Sequence, residues 1–160
     1  MSQRRTAGRA GRTETTGRRA SGETPPDHEG TRCLYLTPDF GNARLLRAAL
    51  QDLCARSTVD EDAAIDFELA VVEAFNNGVR HGHHPHANRP SIHACLAIDR
   101  KSAALELRYP GAPFNTSIPP LPDPLASHGR GRYLMNLLTD RVEYEFQNGQ
   151  TCVRLTKEWD

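Results

Sequence analysis

Glu73 and Asn77 stand four residues apart in a segment of helical periodicity, so their side chains share one face. His81 continues the same row one turn later. A carboxylate beside a carboxamide is the donor set of a magnesium–nucleotide centre. The amide oxygen can fill one position in a hard, oxygen-rich Mg²⁺ shell. The carboxylate can orient or deprotonate an attacking hydroxyl or water. Alone, the pair is a weak signal, because polar residues on the wet face of a helix are the default. A second element is Gly129-Arg130-Gly131, between a proline-rich segment and a helical one. Backbone N–H groups at a helix N-terminus cradle anions, and glycines let a phosphate come close. Arg130 and Arg132 can add charge there. Alone, G-x-G is also an ordinary helix-opening turn. A third is Gly111, where a strand-like segment ends. His81, His83, His84 and His86, with His93 beyond, could hold Zn²⁺ or Ni²⁺. They straddle a helix end and a turn without partnering cysteine or carboxylate spacing, so solvated loop histidines are expected.

The elements that must position these residues follow from periodicity and turn chemistry. Thr31–Thr37 alternates polar and apolar residues and reads as a strand that Pro38 stops. Asn42–Cys54 has a helical period. Glu61–His81 is the longest helical signal, with Ile65, Leu69, Val72, Asn76 and Val79 as its expected apolar stripe. Asp60 to Asp62 supply acceptors and negative charge at its start, and Gly82 and Pro85 stop it. Ser91–Ile98 and Ala103–Arg108 read as a hairpin turned by residues 99–102. Pro110–Gly131 carries six of the eleven prolines and reads as a long loop of the kind that forms lids and binding loops. Arg132–Leu138 is a short helix, and Val142–Phe146 with Thr151–Thr156 a second hairpin around Asn148-Gly149. The order β-α-α-β-β-loop-α-β-β lacks βαβ alternation. It implies an α+β two-layer sandwich, a mostly antiparallel sheet with helices on one face.

Composition bounds the rest. Residues 1–30 hold four apolar side chains (Met1, Ala7, Ala10, Ala20) and read as a disordered, Arg-rich tail. The same composition also suits a transit peptide. Residues 31–160 are about 44% apolar, an ordinary value for one globular domain. No apolar run approaches a membrane span, and no apolar segment of a secretory signal follows the basic start. Net charge is zero but uneven. Residues 1–20 carry six Arg against one Glu, a basic stretch that can touch nucleic acid. Without aromatic residues or a repeat it reads as a solvated leader, so neither a membrane nor direct nucleic-acid binding is expected. Cys33, Cys54, Cys95 and Cys152 form no C-x-x-C and are expected to be structural thiols in a reducing, cytoplasmic setting.

Taken together, the E-x-x-x-N helix, the strand ending near glycine, the long loop and the G-x-G before a helix form an ordered constellation. It resembles the GHKL (histidine-kinase-like) superfamily with its Bergerat ATP-binding fold, and more narrowly the bacterial anti-sigma-factor serine kinases of the RsbW type. The most specific stretch is Glu68–Gly82, ELAVVEAFNNGVRHG, with support from GAPFN at 111–115 and LPDPLASHGRGRYLMNLL at 121–138. The resemblance implies ATP and Mg²⁺ as cofactors, Glu73 as catalytic base and Asn77 as Mg²⁺ ligand. It places His81, Tyr109, Gly111, Ala112, Phe114, Gly129, Arg130 and Gly131 around the nucleotide, under a lid of residues 112–128. It implies a sigma factor and an antagonist with a phosphorylatable serine as partners, and it allows a homodimer. Its alternative is a nucleotide-weak module that binds partners without phosphotransfer. In the family's D-x-G box an Asp accepts a hydrogen bond from the adenine amino group. Here Tyr109 stands at that position, and a phenol carries no charge at neutral pH.

Overall fold

A computed structural model describes residues 30–118, 120–125 and 129–160. The expected N-terminal tail up to residue 29, and positions 119 and 126–128 of the expected lid, lie outside the described residues. The chain runs β1 (Thr31–Leu36), a 3-10 turn (Phe40–Asn42), α1 (Ala43–Ala55), α2 (Glu61–His81), β2 (Ile92–Ile98), β3 (Ser102–Pro110), α3 (Arg130–Leu138), β4 (Arg141–Gln147) and β5 (Gln150–Glu158). The five strands form one antiparallel sheet in the order β1-β2-β3-β5-β4. Helices cover one face, which is the expected α+β two-layer architecture.

Local chemistry accounts for most boundaries. The Asp60 carboxylate accepts the Ala63 N–H at 2.8 Å and caps α2. In the β2–β3 turn the Asp99 carboxylate accepts the N–H groups of Lys101 and Ser102, each at 2.8 Å. Asn148 and Gly149 both have positive φ, 52° and 72°, as a two-residue turn matched to strand twist requires. α2 ends at Gly82 with extended backbone, and His84 finishes the cap. Its Nε2 lies 2.8 Å from the Gly78 carbonyl and its Nδ1 2.8 Å from Ser91 Oγ. His84 is thus a structural histidine, while His81, His83 and His86 are exposed.

The core corrects the expected stripe on α2. Ala63, Phe67, Ala70, Val71, Ala74, Phe75 and Gly78 face inward, while Ile65 is 60% and Leu69 45% exposed. The reason is distance. Small residues at 70, 74 and 78 let the helix settle close to the sheet, and a Cβ at Gly78 would stand only 3.0 Å from the Tyr109 ring. Phe67 and Phe75 fill the space on either side and are fully buried. Phe67→Ala is expected to cost about 3–5 kcal/mol. Urea unfolding should show a lower midpoint with an unchanged slope; an unaltered midpoint would remove Phe67 from the core.

Pleating sends alternate residues to the uncovered face of the sheet. There Glu106 is held by Arg108 Nε at 2.8 Å and Arg154 Nε at 2.9 Å, and Arg154 reaches Glu145 at 3.1 Å. On the same face Cys33 and Cys95 are register partners, Cα to Cα 4.1 Å, and are joined as a disulfide. This corrects the expectation of four structural thiols. Antiparallel pairing across 62 residues of sequence brought the two together, which spacing alone could not reveal. Cys54 and Cys152 are free.

Candidate functional site

The C-terminal half of α2, the end of β3, the middle of β4, the first half of β5 and the first turns of α3 surround one concave space of about 280 Å³. Asn77, His81, Tyr109, Ala112, Phe114, Arg132 and Tyr144 line it, above a floor of Ala74, Met135 and Val153. Of the residues expected around a nucleotide, His81, Tyr109, Ala112 and Phe114 line this space together with Asn77, while Gly111, Gly129, Arg130 and Gly131 do not. A larger open hollow of about 730 Å³ lies at the opposite end of the strands. Two of its arginines, Arg32 and Arg56, are already bound to Asp52.

Glu73 and Asn77 share the α2 face that meets α3. A Cβ added to Gly131 would stand 2.7 Å from Glu73 Oε2 and 3.3 Å from Asn77 Oδ1. Glycine at 131 is thus what lets the first turn of α3 sit against both side chains. Gly129 begins α3 in the left-handed region at φ 86°, with nothing near the place of its missing side chain. Arg130 is turned away from this junction, and its Nη2 donates to the Pro124 carbonyl at 2.6 Å. This hydrogen bond ties the start of α3 to the long loop.

The sheet side of the cavity is unusually aromatic. Phe114 meets Tyr144 and Phe146 edge-on, at 5.2 and 5.1 Å between centroids. The Arg132 guanidinium lies over Phe114 at 5.3 Å and Tyr144 at 5.8 Å, and its Nη2 donates to the Ser117 carbonyl at 2.8 Å. This contact ties the beginning of the long loop to α3. Gly111 is buried, its N–H bonded to the Gly149 carbonyl at 3.0 Å. A Cβ there would meet Thr151 Oγ1 at 3.1 Å and the Tyr109 ring at 3.3 Å.

Tyr109 is 3% exposed, so it belongs to the wall of the cavity. Burial pushes its phenol up to about 12, the neighbouring Tyr144 adds to this, and Arg132 opposes it. It is therefore neutral at any physiological pH. Burial, then Arg80 and Arg132, lower the pKa of His81, so its imidazole favours the neutral form.

Three polar atoms close to this space are buried without a hydrogen-bond partner: Thr151 Oγ1, Tyr144 Oη and Arg132 Nε. Such atoms are costly unless something satisfies them. Tyr144 and Arg132 line the cavity and give it one hydroxyl and one cationic donor, while Thr151 lies beside Gly111, outside the lining. Sequence reading missed Thr151 and Tyr144, because alternation marks them only as inward strand positions. Arg132 was legible as charge next to the glycines, but not as the lid of an aromatic cluster.

Residues 36–157 match the histidine kinase-like ATPase domain family. No curated protein matches the chain. Among solved structures, the RsbU and RsbW domains of Rv1364c from Mycobacterium tuberculosis are similar in fold. The TM-score is 0.60 at 19% identity, over 79% of this chain and 32% of that one. The chain thus spans about a third of the length of that solved protein.

Proposed function

We propose that this chain, which belongs to the histidine kinase-like ATPase domain family, is an anti-sigma regulatory factor that transfers phosphate from ATP to a serine of an antagonist protein. The observation that carries the reading is the junction of Glu73, Asn77 and Gly131, of which Asn77 also lines the aromatic cavity. The partners in this reading are a sigma factor, sequestered by the chain, and the antagonist whose phosphorylation state sets its release. Such partner exchange is intracellular, so a cytoplasmic location belongs to the proposal.

The residues suit the nucleotide and the metal. The cavity walls can enclose a flat base, and Tyr144 and Arg132 hold unpartnered polar atoms there. Asn77 Oδ1 is the oxygen that would hold Mg²⁺, with the N-terminal turn of α3 next to it. When bound, Mg²⁺ would neutralise charge on the phosphates. Glu73 has the complementary task. Its carboxylate lies beside the same turn but outside the cavity lining, where it can orient the incoming serine hydroxyl and accept its proton. Gly131→Ala would drive a methyl group into this carboxylate. The substitution is expected to slow phosphotransfer while far-ultraviolet circular dichroism stays unchanged. Wild-type transfer in this variant would show that α3 moves away from Glu73 before reaction.

Tyr109 favours a second reading, a partner-binding module with weak nucleotide affinity. A buried neutral phenol replaces the carboxylate expected to read the adenine amino group. Calorimetric titration with Mg·ATP and Mg·GTP separates the two. The wild type is expected to bind both, with little preference. Tyr109→Asp is expected to favour ATP by about ten- to a hundredfold, the worth of one hydrogen bond to a charged group. Absence of binding to either protein would leave only the module. Tight, ATP-selective binding by the wild type would assign base recognition to other residues.

A further inference from the structure

The uncovered face of the sheet carries a cluster that the nucleotide chemistry does not use. Cys33 on β1 lies directly across from Cys95 on β2, and His93 precedes Cys95 by two residues on the same face. Cys95 Sγ is 3.6 Å from His93 Nε2, and one ligand atom from each of the three residues falls within 4.8 Å of the others. Among the described residues, no other group of three His, Cys, Asp or Glu side chains gathers closely enough for a metal. We propose that Cys33, His93 and Cys95 form a zinc site that is open for binding when the two cysteines are reduced and closed when they form their disulfide.

Geometry and ligand type support this together. In tetrahedral zinc, bonds of about 2.3 Å to sulfur and 2.0–2.1 Å to nitrogen put those two ligands about 3.6 Å apart. The sulfur and nitrogen of Cys95 and His93 already stand at that separation. Reduction frees Cys33 Sγ to move away from Cys95 Sγ to the corresponding sulfur–sulfur edge, about 3.8 Å by the same bond lengths. Neighbouring strands of a sheet hold the Cα atoms of the pair in place, so only side-chain torsions need to change. Two thiolates and one imidazole are a soft set that selects zinc over magnesium or calcium. Tyr35 stacks on the His93 ring at 4.3 Å between centroids and fixes its orientation.

The surroundings suit a site of zero net charge, as Zn²⁺ with two thiolates would be. Glu106 lies across from Cys95, but Arg108 and Arg154 hold its carboxylate. Arg108 lies across from His93. All three ligand residues are half-buried, so the fourth position of the metal faces solvent and takes water or a small donor. Closure is an oxidation. Two zinc-bound thiolates give two electrons to one hydrogen peroxide, the sulfurs join, two hydroxide ions form, and Zn²⁺ leaves.

The test uses the full chain, reduced and then freed of reductant without air. Co²⁺ is titrated as a spectroscopic probe and displaced with Zn²⁺. One equivalent is expected, with a thiolate-to-cobalt charge-transfer band. The band should be absent in Cys33→Ser and retained in a Cys54→Ser/Cys152→Ser double variant. His93→Ala keeps all four cysteines and should weaken zinc by at least about tenfold, since even outer partners of a ligand are worth that much. Zinc should raise the unfolding temperature of the wild type but not of Cys33→Ser. Peroxide added to the zinc-loaded protein should release one zinc and consume two thiols. A reduced wild type that shows no thiolate band overturns the proposal. So does a band that persists in Cys33→Ser, or zinc affinity that His93→Ala leaves unaltered.

Discussion

Glu73→Gln is expected to lower the rate of γ-phosphate transfer by roughly 10²–10⁴-fold and to leave ATP affinity where it was. Both halves come from position. Glu73 touches the α3 junction but does not line the cavity, so a base and ribose held there would not contact it. Glutamine keeps the size and the hydrogen-bonding reach of the side chain. It removes the one property that deprotonation of a serine hydroxyl needs, a site that can take up the proton. Single-turnover transfer from ATP to the antagonist protein, with calorimetric ATP binding alongside, checks both. Transfer at the wild-type rate would show that Glu73 is not the base. Loss of ATP binding together with transfer would make it a binding residue instead.

Asn77→Ala is expected to weaken Mg·ATP by about ten- to a hundredfold, the range for losing one polar contact with a charged group. Metal-free ATP should be affected much less. The helix itself should tolerate the change, because Asn77 sits at the cavity edge of α2 and alanine is the best helix former. The informative quantity is the difference between titrations with and without Mg²⁺. If that difference survives in the variant, the metal is held elsewhere. If the variant unfolds at a lower temperature, the contact with the first turn of α3 is structural.

These two residues were legible in the sequence because four-residue spacing on a helix is a local relation. The same holds for the Asp60 cap, the Asn148-Gly149 turn and the order of the elements. Each is decided within a few residues by backbone geometry. The boundaries differ from expectation by a residue or two, mainly where cross-strand pairing extends a strand. β3, for example, runs to Pro110 because Tyr109 and Pro110 still pair with Thr151 and Gln150.

The face of α2 was not legible in the same way. Ile65, Leu69 and Val72 make a good apolar stripe, and so do Phe67, Ala70, Val71, Ala74 and Phe75. The expected stripe is the first alone, although the second fits the helical repeat as well. The sheet chooses, because it accepts the side that lets the backbones approach, with Gly78 against Tyr109. Tyr109 itself shows the same division. Sequence alone marked it as the departure from the family pattern. Only packing showed that the ring is buried in the cavity wall with its hydroxyl uncharged.

From the sequence by itself came the fold class, the membership of elements in helices and strands, and the pairing of Glu73 with Asn77. The tertiary structure decided what touches across long separations. It closed Gly131 onto Glu73, gathered Thr151, Tyr144 and Arg132 as unpartnered groups, and set Cys33 opposite Cys95 with His93 alongside. The physical reason is the range of the forces involved. Caps, turns and periodicity act through the chain over a turn or two. Strand register and helix docking are settled by burial of the whole core, which no single stretch of residues encodes.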